Sequence, residues 1–266
     1  MSRLRAADAA MRAGRDAGPE YSEALARGLD VIAAFNAGDR ALSLSDLARA
    51  VDLPRATVRR AVLTLVHLGY VVGDGRLFRL TPRVLRLATA YLTSNAISML
   101  LQPACDRIMR RAGESCTAAV LEGPDVVMVA RALPAQLVPA GAGIGFRLPA
   151  YCSALGRVLL SGLPVPDLEA YLAKTPLLAV TDHTATDPAA VRRAVQAASA
   201  DGFCFVDQEA EHGFRSIAVP LRRFDGTLVA ALNIGARIER ADAGAMLGQH
   251  LPVLQEEAAA LTGYLV

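Results

Sequence analysis

Seven arginines and one acid, Asp74, fall between residues 54 and 86. Three of those arginines sit in Pro54-Arg-Ala-Thr-Val-Arg-Arg60, and Pro54 is suited to the first turn of a helix running to about His67. At helical spacing Val58, Val62, Leu65 and Val66 form an apolar stripe, and Arg55, Thr57, Arg59 and Arg60 face away from it. The major groove of B-DNA admits one helix, and guanine edges take arginine as a bidentate partner. A helix that reads DNA is therefore apolar inside and basic on its outer, N-terminal face. Arg55, Thr57, Arg59 and Arg60 are the expected contact set, with Ala56 small enough to allow close approach to bases. Arg76 and Arg79 follow in a hairpin and suit phosphate or minor-groove contact, which positions a protein but carries little sequence information. The same pattern also fits a three-helix module whose arginines only solvate a face, or one that docks on protein.

A second set of polar residues stands among apolar strands farther along. Ser216 and Asn233 are small hydrogen-bonding residues in otherwise apolar runs; each alone could be satisfied by backbone, but two on facing strands favour a polar ligand. A buried carboxylate ligand needs a guanidinium, backbone N–H groups or several hydroxyls, because an unpaired buried charge is very costly. Arg131 ends a strand and Arg147 precedes Leu148-Pro149, so either qualifies as anion partner or as one half of a structural ion pair. Strand alternation points Arg215 away from Ser216. Asp207, Glu209 and Glu211 are candidates for holding loops by accepting backbone N–H bonds.

Other chemistry finds less support. Gly141-Ala-Gly143-Ile-Gly145 lacks the flanking strand and helix of a dinucleotide loop. Cys152 with His212 has no third orienting group at motif spacing. His183 with Asp182 and Asp187 reads as a polar turn rather than a metal site. No catalytic residue, metal or cofactor is assigned.

The elements that must position these residues are legible in outline. Residues 1–19 read as a flexible arm with four arginines. Residues 20–80 read as a winged helix-turn-helix. Ser22 caps a helix in which Ala24, Leu25, Leu29, Ile32 and Ala33 repeat at helical spacing, and Asn36-Ala-Gly38 stops it. A short helix follows Ser43, Val51-Asp-Leu53 turns the chain, and Gly73-Asp74-Gly75 turns the hairpin. Residues 81–95 form a connecting helix too apolar for a free linker (Val84, Leu85, Leu87, Ala88, Tyr91, Leu92), which points to packing against its twin.

Residues 96–266 read as an α+β domain, with helices flanking a mainly antiparallel sheet. Its expected helices are Ile97–Ala112, Tyr151–Ser161, Asp167–Lys174, Asp187–Asp201 and Asp242–Leu261, with strands at Ser115–Leu121, Val126–Arg131, Phe203–Gln208, Ser216–Arg222 and Gly226–Gly235. Pro134–Gly145 is a loop or irregular strand.

Bulk properties agree with this division. The 266 residues fit two domains, and 53% hydrophobic content is ample for real cores. Net charge is only +2, but residues 19–95 carry ten arginines against seven acids and residues 96–266 fourteen bases against seventeen acids. A basic front half suggests a polyanion partner. Four cysteines without a CxxC pair, a polar N-terminus and no apolar run long enough for a membrane span point to the cytoplasm, with free thiols and no membrane partner.

These strings resemble a known family. Leu47-Ala48, Leu53-Pro54-Arg-Ala-Thr-Val-Arg-Arg60, Leu63-Thr-Leu65, Leu68-Gly-Tyr70 and Phe78-Arg-Leu-Thr-Pro-Arg83 resemble the N-terminal domain of IclR-family transcription regulators. Leu148-Pro-Ala-Tyr-Cys-Ser153, Gly156-Arg-Val-Leu-Leu160, Asp207-Gln-Glu209, Gly213-Phe-Arg-Ser-Ile-Ala-Val-Pro220 and Val229-Ala-Ala-Leu-Asn233 resemble the effector domain. The match spans about residues 20–264 and looks closest to the branch that controls aromatic-acid breakdown through the β-ketoadipate pathway.

The resemblance implies a regulator bound to a double-stranded DNA operator and modulated by a small-molecule effector, with no enzymatic role. It implies dimers joined through the N-terminal domains, often paired into tetramers, and a GAF-like effector domain with a curved antiparallel sheet. It places Tyr151, Ser153, Ala154 and Leu155 on one side of the effector pocket, Ser216 and Asn233 opposite, and Val206 or Asp207 at the rim. Effectors of that branch are protocatechuate, 4-hydroxybenzoate, β-ketoadipate and related carboxylates. Between Arg131 and Gly145 the branch has a basic stretch, and here the stretch is uncharged, which implies a less anionic or more apolar effector. The competing reading is a small-acid enzyme with an appended DNA-binding domain.

Overall fold

The computed structural model describes residues 20–35, 41–94, 96–135 and 143–265. The N-terminal arm, the helix stop at Asn36-Ala-Gly38 and most of the uncharged 134–145 loop lie outside them. The chain divides into two compact units between Ser94 and Asn95.

In the first unit α1 (Glu23–Ala33) begins at Ser22, whose hydroxyl accepts from the Leu25 N–H. A short β1 (Leu42–Ser43) leads into α2 (Leu44–Val51). The α2 start is a capping box: the Ser43 hydroxyl accepts from the Asp46 N–H, and the Asp46 carboxylate accepts from the Ser43 N–H. Asp52 takes left-handed backbone and turns the chain into α3 (Arg55–His67). The wing is β2 (Val71–Gly73) and β3 (Leu77–Leu80), and β1 pairs with β3 on its other edge. At the wing tip Asp74 accepts from the Arg76 and Leu77 N–H groups, both at 2.8 Å. Gly73 is obligatory, because a Cβ there would lie 2.5 Å from the Leu77 carbonyl oxygen. A 3-10 turn (Pro82–Val84) then opens α4 (Leu85–Ser94).

The core of this unit is Val31, Leu42, Leu47, Val58, Val62, Leu65, Val71 and Phe78. Burial of each large aliphatic side chain contributes about 1.5–3 kcal/mol. Two expectations need correction. Val66 is exposed, so the inner stripe of α3 is Val58, Val62 and Leu65. In α1 the buried position is Val31, whereas Leu25 and Leu29 are 64% and 53% exposed. Both departures have one cause: the core is small, and each helix can turn only a narrow stripe into it.

The second unit is a six-stranded antiparallel sheet, curved, with the strand order β6-β5-β4-β9-β8-β7. Its strands are β4 (Ser115–Glu122), β5 (Asp125–Ala132), β6 (Arg147–Pro149), β7 (Cys204–Asp207), β8 (Phe214–Arg222) and β9 (Leu228–Arg237). Register shifts at Ala118/Ala119 and Leu221/Arg222 are irregularities of the kind that bend strands. The β6 edge was not apparent in the sequence, because three residues containing a proline carry no alternation.

One sheet face packs on α5 (Ala96–Ala112) and on the C-terminal helix, through Cys116, Ala118, Ala130, Ile217, Val219, Leu232 and Ile234. That helix starts as α9 (Ala243–Ala245), passes through a π turn (Met246–His250) and continues as α10 (Leu251–Thr262). The other face packs on α6 (Ala154–Leu160), α7 (Val165–Lys174) and α8 (Pro188–Asp201), through Ala119, Val126, Val206, Ala218 and Ala231. The single helix expected over Tyr151–Ser161 is a 3-10 turn (Ala150–Cys152) and then α6, because Ser153 has extended backbone and caps α6. All four cysteines are buried and none is in a disulfide. Among the described residues no helix is long and apolar enough to cross a membrane.

Candidate DNA-binding and effector sites

The first site is the outer surface of α3 and the wing. Arg55, Ala56, Arg59, Arg60, Arg76 and Arg79 are exposed. No carboxylate among the described residues lies within ion-pair distance of Arg55, Arg59, Arg60 or Arg79. Arg59 lines a cleft between α3 and the wing, with Leu63, Val66 and Gly73. Arg60 lies on the opposite flank, beside α1. Thr57 departs from the expectation: it is half-buried and lines the groove between α3 and α1. Valine positions 58 and 62 set the inward direction of the helix, and Thr57 stands close to that edge. Val72 pairs with Arg79 on β2–β3, away from the buried Phe78. The wing root is fixed by the Thr81 hydroxyl, which donates to the Gly69 carbonyl at 2.6 Å, and by the Arg83 guanidinium over the Tyr70 ring at 5.6 Å. A rigid basic hairpin therefore flanks a basic helix.

The second site lies on the sheet face under α6. Strand register decides which side chains share it, since directly paired residues point the same way and neighbours alternate. Thr117 pairs with both Arg131 and Asn233, Asn233 pairs with Ala218, and Ser216 stands two residues from Ala218 on β8. Ala218 packs in the cluster beneath α6. Arg131, Thr117 and Asn233 thus form a row across three strands on the face that α6 covers, and Ser216, level with Gly235 on the fourth strand, lies diagonal to Asn233 and extends it. Val206, paired with Ser216, continues the row as an apolar end on β7.

Thr117 and Ser216 are buried, and the Asn233 side-chain oxygen accepts from the Thr117 N–H at 3.1 Å. That bond turns the Asn233 amide NH2 into the donor end. Burial holds the Arg131 guanidinium below the usual arginine range, with the Glu211 carboxylate opposing. Gln102 clasps the Arg131 backbone, accepting from its N–H at 3.1 Å and donating to its carbonyl at 3.0 Å. Sequence reasoning missed Thr117; its one signal was a hydroxyl in the apolar run Ser115–Leu121.

Above the row, Ala154 and Leu155 are buried on α6, and the Ser153 hydroxyl accepts from the Gly156 N–H at 3.1 Å. The helix sits close on the 3-10 turn: a Cβ at Gly156 would lie 2.1 Å from the Ala150 carbonyl oxygen. Arg157, also missed by sequence reasoning, anchors α6. Its guanidinium meets the Glu209 carboxylate through two bonds of 2.6 and 2.7 Å and donates from Nε to the Tyr151 carbonyl at 2.9 Å. Glu209 also accepts from the Ala185 N–H, the loop-holding role expected of it.

Three expected effector residues make other contacts in the structure. Asp207 pairs with Arg215, and both point away from the polar row, where they form an ion pair at 3.1 Å. The alternation that turns Arg215 to the opposite face turns its register partner with it. Arg147 bonds the carboxylates of Glu122 and Asp125 and the Glu122 carbonyl. Burial lowers its pKa, but the two carboxylates outweigh that and raise it. It staples β6 to the β4–β5 turn. Tyr151 is buried, and its hydroxyl donates to the Leu178 carbonyl at 2.6 Å.

The Cys152 thiol is also buried, facing the Pro149 carbonyl, whereas His212 is exposed beside Asp182.

A winged helix-turn-helix with a basic outer face, followed by an α+β domain that carries a covered polar row, defines a transcription regulator. Comparison with known proteins agrees. The family description "IclR helix-turn-helix domain" matches residues 24–75, and "Bacterial transcriptional regulator IclR C-terminal" matches residues 89–262. The chain belongs to the IclR family of DNA-binding transcription regulators.

It is 40% identical over 237 residues to the Pca regulon regulatory protein of Pseudomonas putida, covering 89% of this chain and 81% of that one. A transcriptional regulator of Rhodococcus sp. RHA1 is 42% identical with a TM-score of 0.81, covering 92% of this chain and 98% of that one. An IclR homologue of Microbacterium hydrocarbonoxydans, solved with 4-hydroxybenzoate, is 30% identical with a TM-score of 0.77, covering 91% and 99%.

Proposed function

We propose that this regulator responds to an aromatic acid or related catabolic carboxylate held between α6 and the polar row of the sheet. The observation that carries the reading is that row. Arg131, Thr117, Asn233 and Ser216 share one otherwise apolar face, which supplies one guanidinium and several neutral hydrogen-bonding groups. A flat aromatic ring suits the apolar remainder, and the guanidinium suits a carboxylate. Ser153, Ala154 and Leu155 close the site from above. The similarity to a Pca regulon regulator and to a homologue solved with 4-hydroxybenzoate supports that ligand class.

Operator contact falls to Arg55, Ala56, Arg59 and Arg60 of α3, with Arg76 and Arg79 of the wing on the sugar-phosphate backbone. The working form is a homodimer, or a tetramer built from two, acting in the cytoplasm. Its N-terminal units meet through the exposed apolar groove of Leu25, Leu29 and Leu68 and through Leu87 of α4. Regulation is a population shift: the effector binds one arrangement of the assembly better than the other and so changes operator affinity.

The test is a thermal-shift panel of hydroxybenzoates, β-keto acids and neutral aromatics on the full chain. A ligand that binds the folded state raises its melting temperature. Ser216→Ala with Asn233→Ala is expected to erase the shift and leave operator binding intact. A shift that persists in the double variant removes the site from this face.

A further inference from the structure

A cluster outside both sites brings together side chains from two separate loops. Asp182 and His183 lie in the turn before α8, and His212 lies in the loop between β7 and β8. The Asp182 carboxylate oxygen is 3.6 Å from His183 Nε2 and 3.5 Å from His212 Nδ1. The three donor atoms all lie within 4.8 Å of one another. A tetrahedral ion with bonds of about 2.0–2.1 Å sets its ligand atoms about 3.3–3.4 Å apart. Two of the three edges are therefore already near the length a metal requires, and the third needs only a small rotation of exposed imidazoles.

The loops that carry these ligands are fixed from below. The Thr181 hydroxyl donates to the Gln208 carbonyl at 2.7 Å, and the Thr184 hydroxyl donates to the Glu209 carbonyl at 2.7 Å. The His183 N–H donates to the Thr181 hydroxyl at 3.1 Å. Gln208 adopts left-handed backbone, and its side chain accepts from the Gly213 N–H at 3.1 Å, which closes the loop that presents His212. The Arg157–Glu209 pair and the Glu209–Ala185 bond brace the same junction. Much of the entropy of bringing the two loops together is thus already lost before any ion arrives.

We propose that Asp182, His183 and His212 form a binding site for a divalent transition metal. Two imidazoles and one carboxylate suit zinc, cobalt, nickel or copper, whereas calcium and magnesium demand more oxygen ligands. All three side chains are exposed, so the fourth position is open to water. The ion cross-links the 181–184 turn to the 208–213 loop and stiffens the junction that anchors α6. The site stands whatever ligand the polar row takes.

Tag-free, metal-stripped full-length protein should be titrated with Co2+ and Zn2+, with bound metal measured by equilibrium dialysis and Co2+ also followed by its visible absorption bands. One ion per chain is expected, with an absorption spectrum of low coordination number. Loss even of a residue behind a metal ligand costs about 10–100-fold in affinity, so His183→Ala and His212→Ala should each weaken uptake by at least about tenfold. Both positions are exposed, and unchanged circular dichroism would confirm the fold. Zinc should also slow amide exchange in residues 208–213 of the wild type and leave it unchanged in the variants. Failure to take up one ion per chain at 100-fold molar excess, or uptake undiminished in either histidine variant, overturns the site.

Discussion

Replacement of Arg157 by Leu tests whether α6 is held over the sheet by a buried charge pair or by apolar packing alone. The Arg157 side chain is 5% exposed and its partner Glu209 is 14% exposed. The variant removes two bonds of 2.6 and 2.7 Å to the carboxylate and one of 2.9 Å to the Tyr151 carbonyl. Glu209 then keeps one partner, the Ala185 N–H, and a charge with little access to water. Removing one member of such a pair costs about 3–5 kcal/mol, because the survivor stays buried and uncompensated. That corresponds to a fall of roughly a hundredfold to several thousandfold in the folding equilibrium of the second unit.

The assay is urea unfolding of the full chain, with the second unit followed by amide exchange in β8 and β9. The companion variant Arg157→Leu with Glu209→Leu removes both charges and should recover a substantial part of the loss, since replacing a whole buried pair by apolar side chains is often close to neutral. A loss below about 1 kcal/mol in the single variant, the value of a solvated surface pair, would refute the anchoring argument. So would a double variant no more stable than the single one.

Gly156→Ala places a Cβ 2.1 Å from the Ala150 carbonyl oxygen, so α6 must lift from its 3-10 turn. The expected result is a loss of about 1–3 kcal/mol by chemical denaturation together with a weaker ligand-induced thermal shift, and an unaltered variant would contradict the close approach. Arg59→Ala and Arg60→Ala should weaken operator binding and each reduce the slope of log affinity against log salt by about 1 if the lost contact is to phosphate, measured by fluorescence anisotropy. Unchanged affinity in both removes the outer face of α3 from the interface. Hydrogen bonds from the Ser43 hydroxyl and N–H hold the Asp46 carboxyl below its ordinary value. A lowered folded-state value means that the stabilisation is complete above the unfolded-state value and fades as pH falls through the folded-state one. The acid limb of N-terminal-unit stability should therefore be shallower in Asp46→Asn, and an identical pH profile would show the capping box to be unformed in solution.

Much of the N-terminal unit could be read from the sequence because local chemistry determines it. Ser22, Ser43 and Pro54 mark helix starts, and Gly73-Asp74-Gly75 marks the wing turn. The basic outer face of α3 follows from helical spacing alone. Strand alternation also placed Arg215 on the face opposite Ser216.

Register across strands was decided only by the tertiary structure. Pairing places Thr117, Arg131 and Asn233 side by side with Ser216 diagonal to them, although they come from four strands, and it sends Asp207 to the opposite face with Arg215. Long-range partners are equally invisible to local pattern. Arg157 meets Glu209 fifty-two residues away, and Arg147 is captured by Glu122 and Asp125. Neighbours along a chain interact through fixed local geometry, so composition and spacing reveal them. Neighbours in space depend on how the sheet curves and which loops close over it, and a linear pattern does not contain that information.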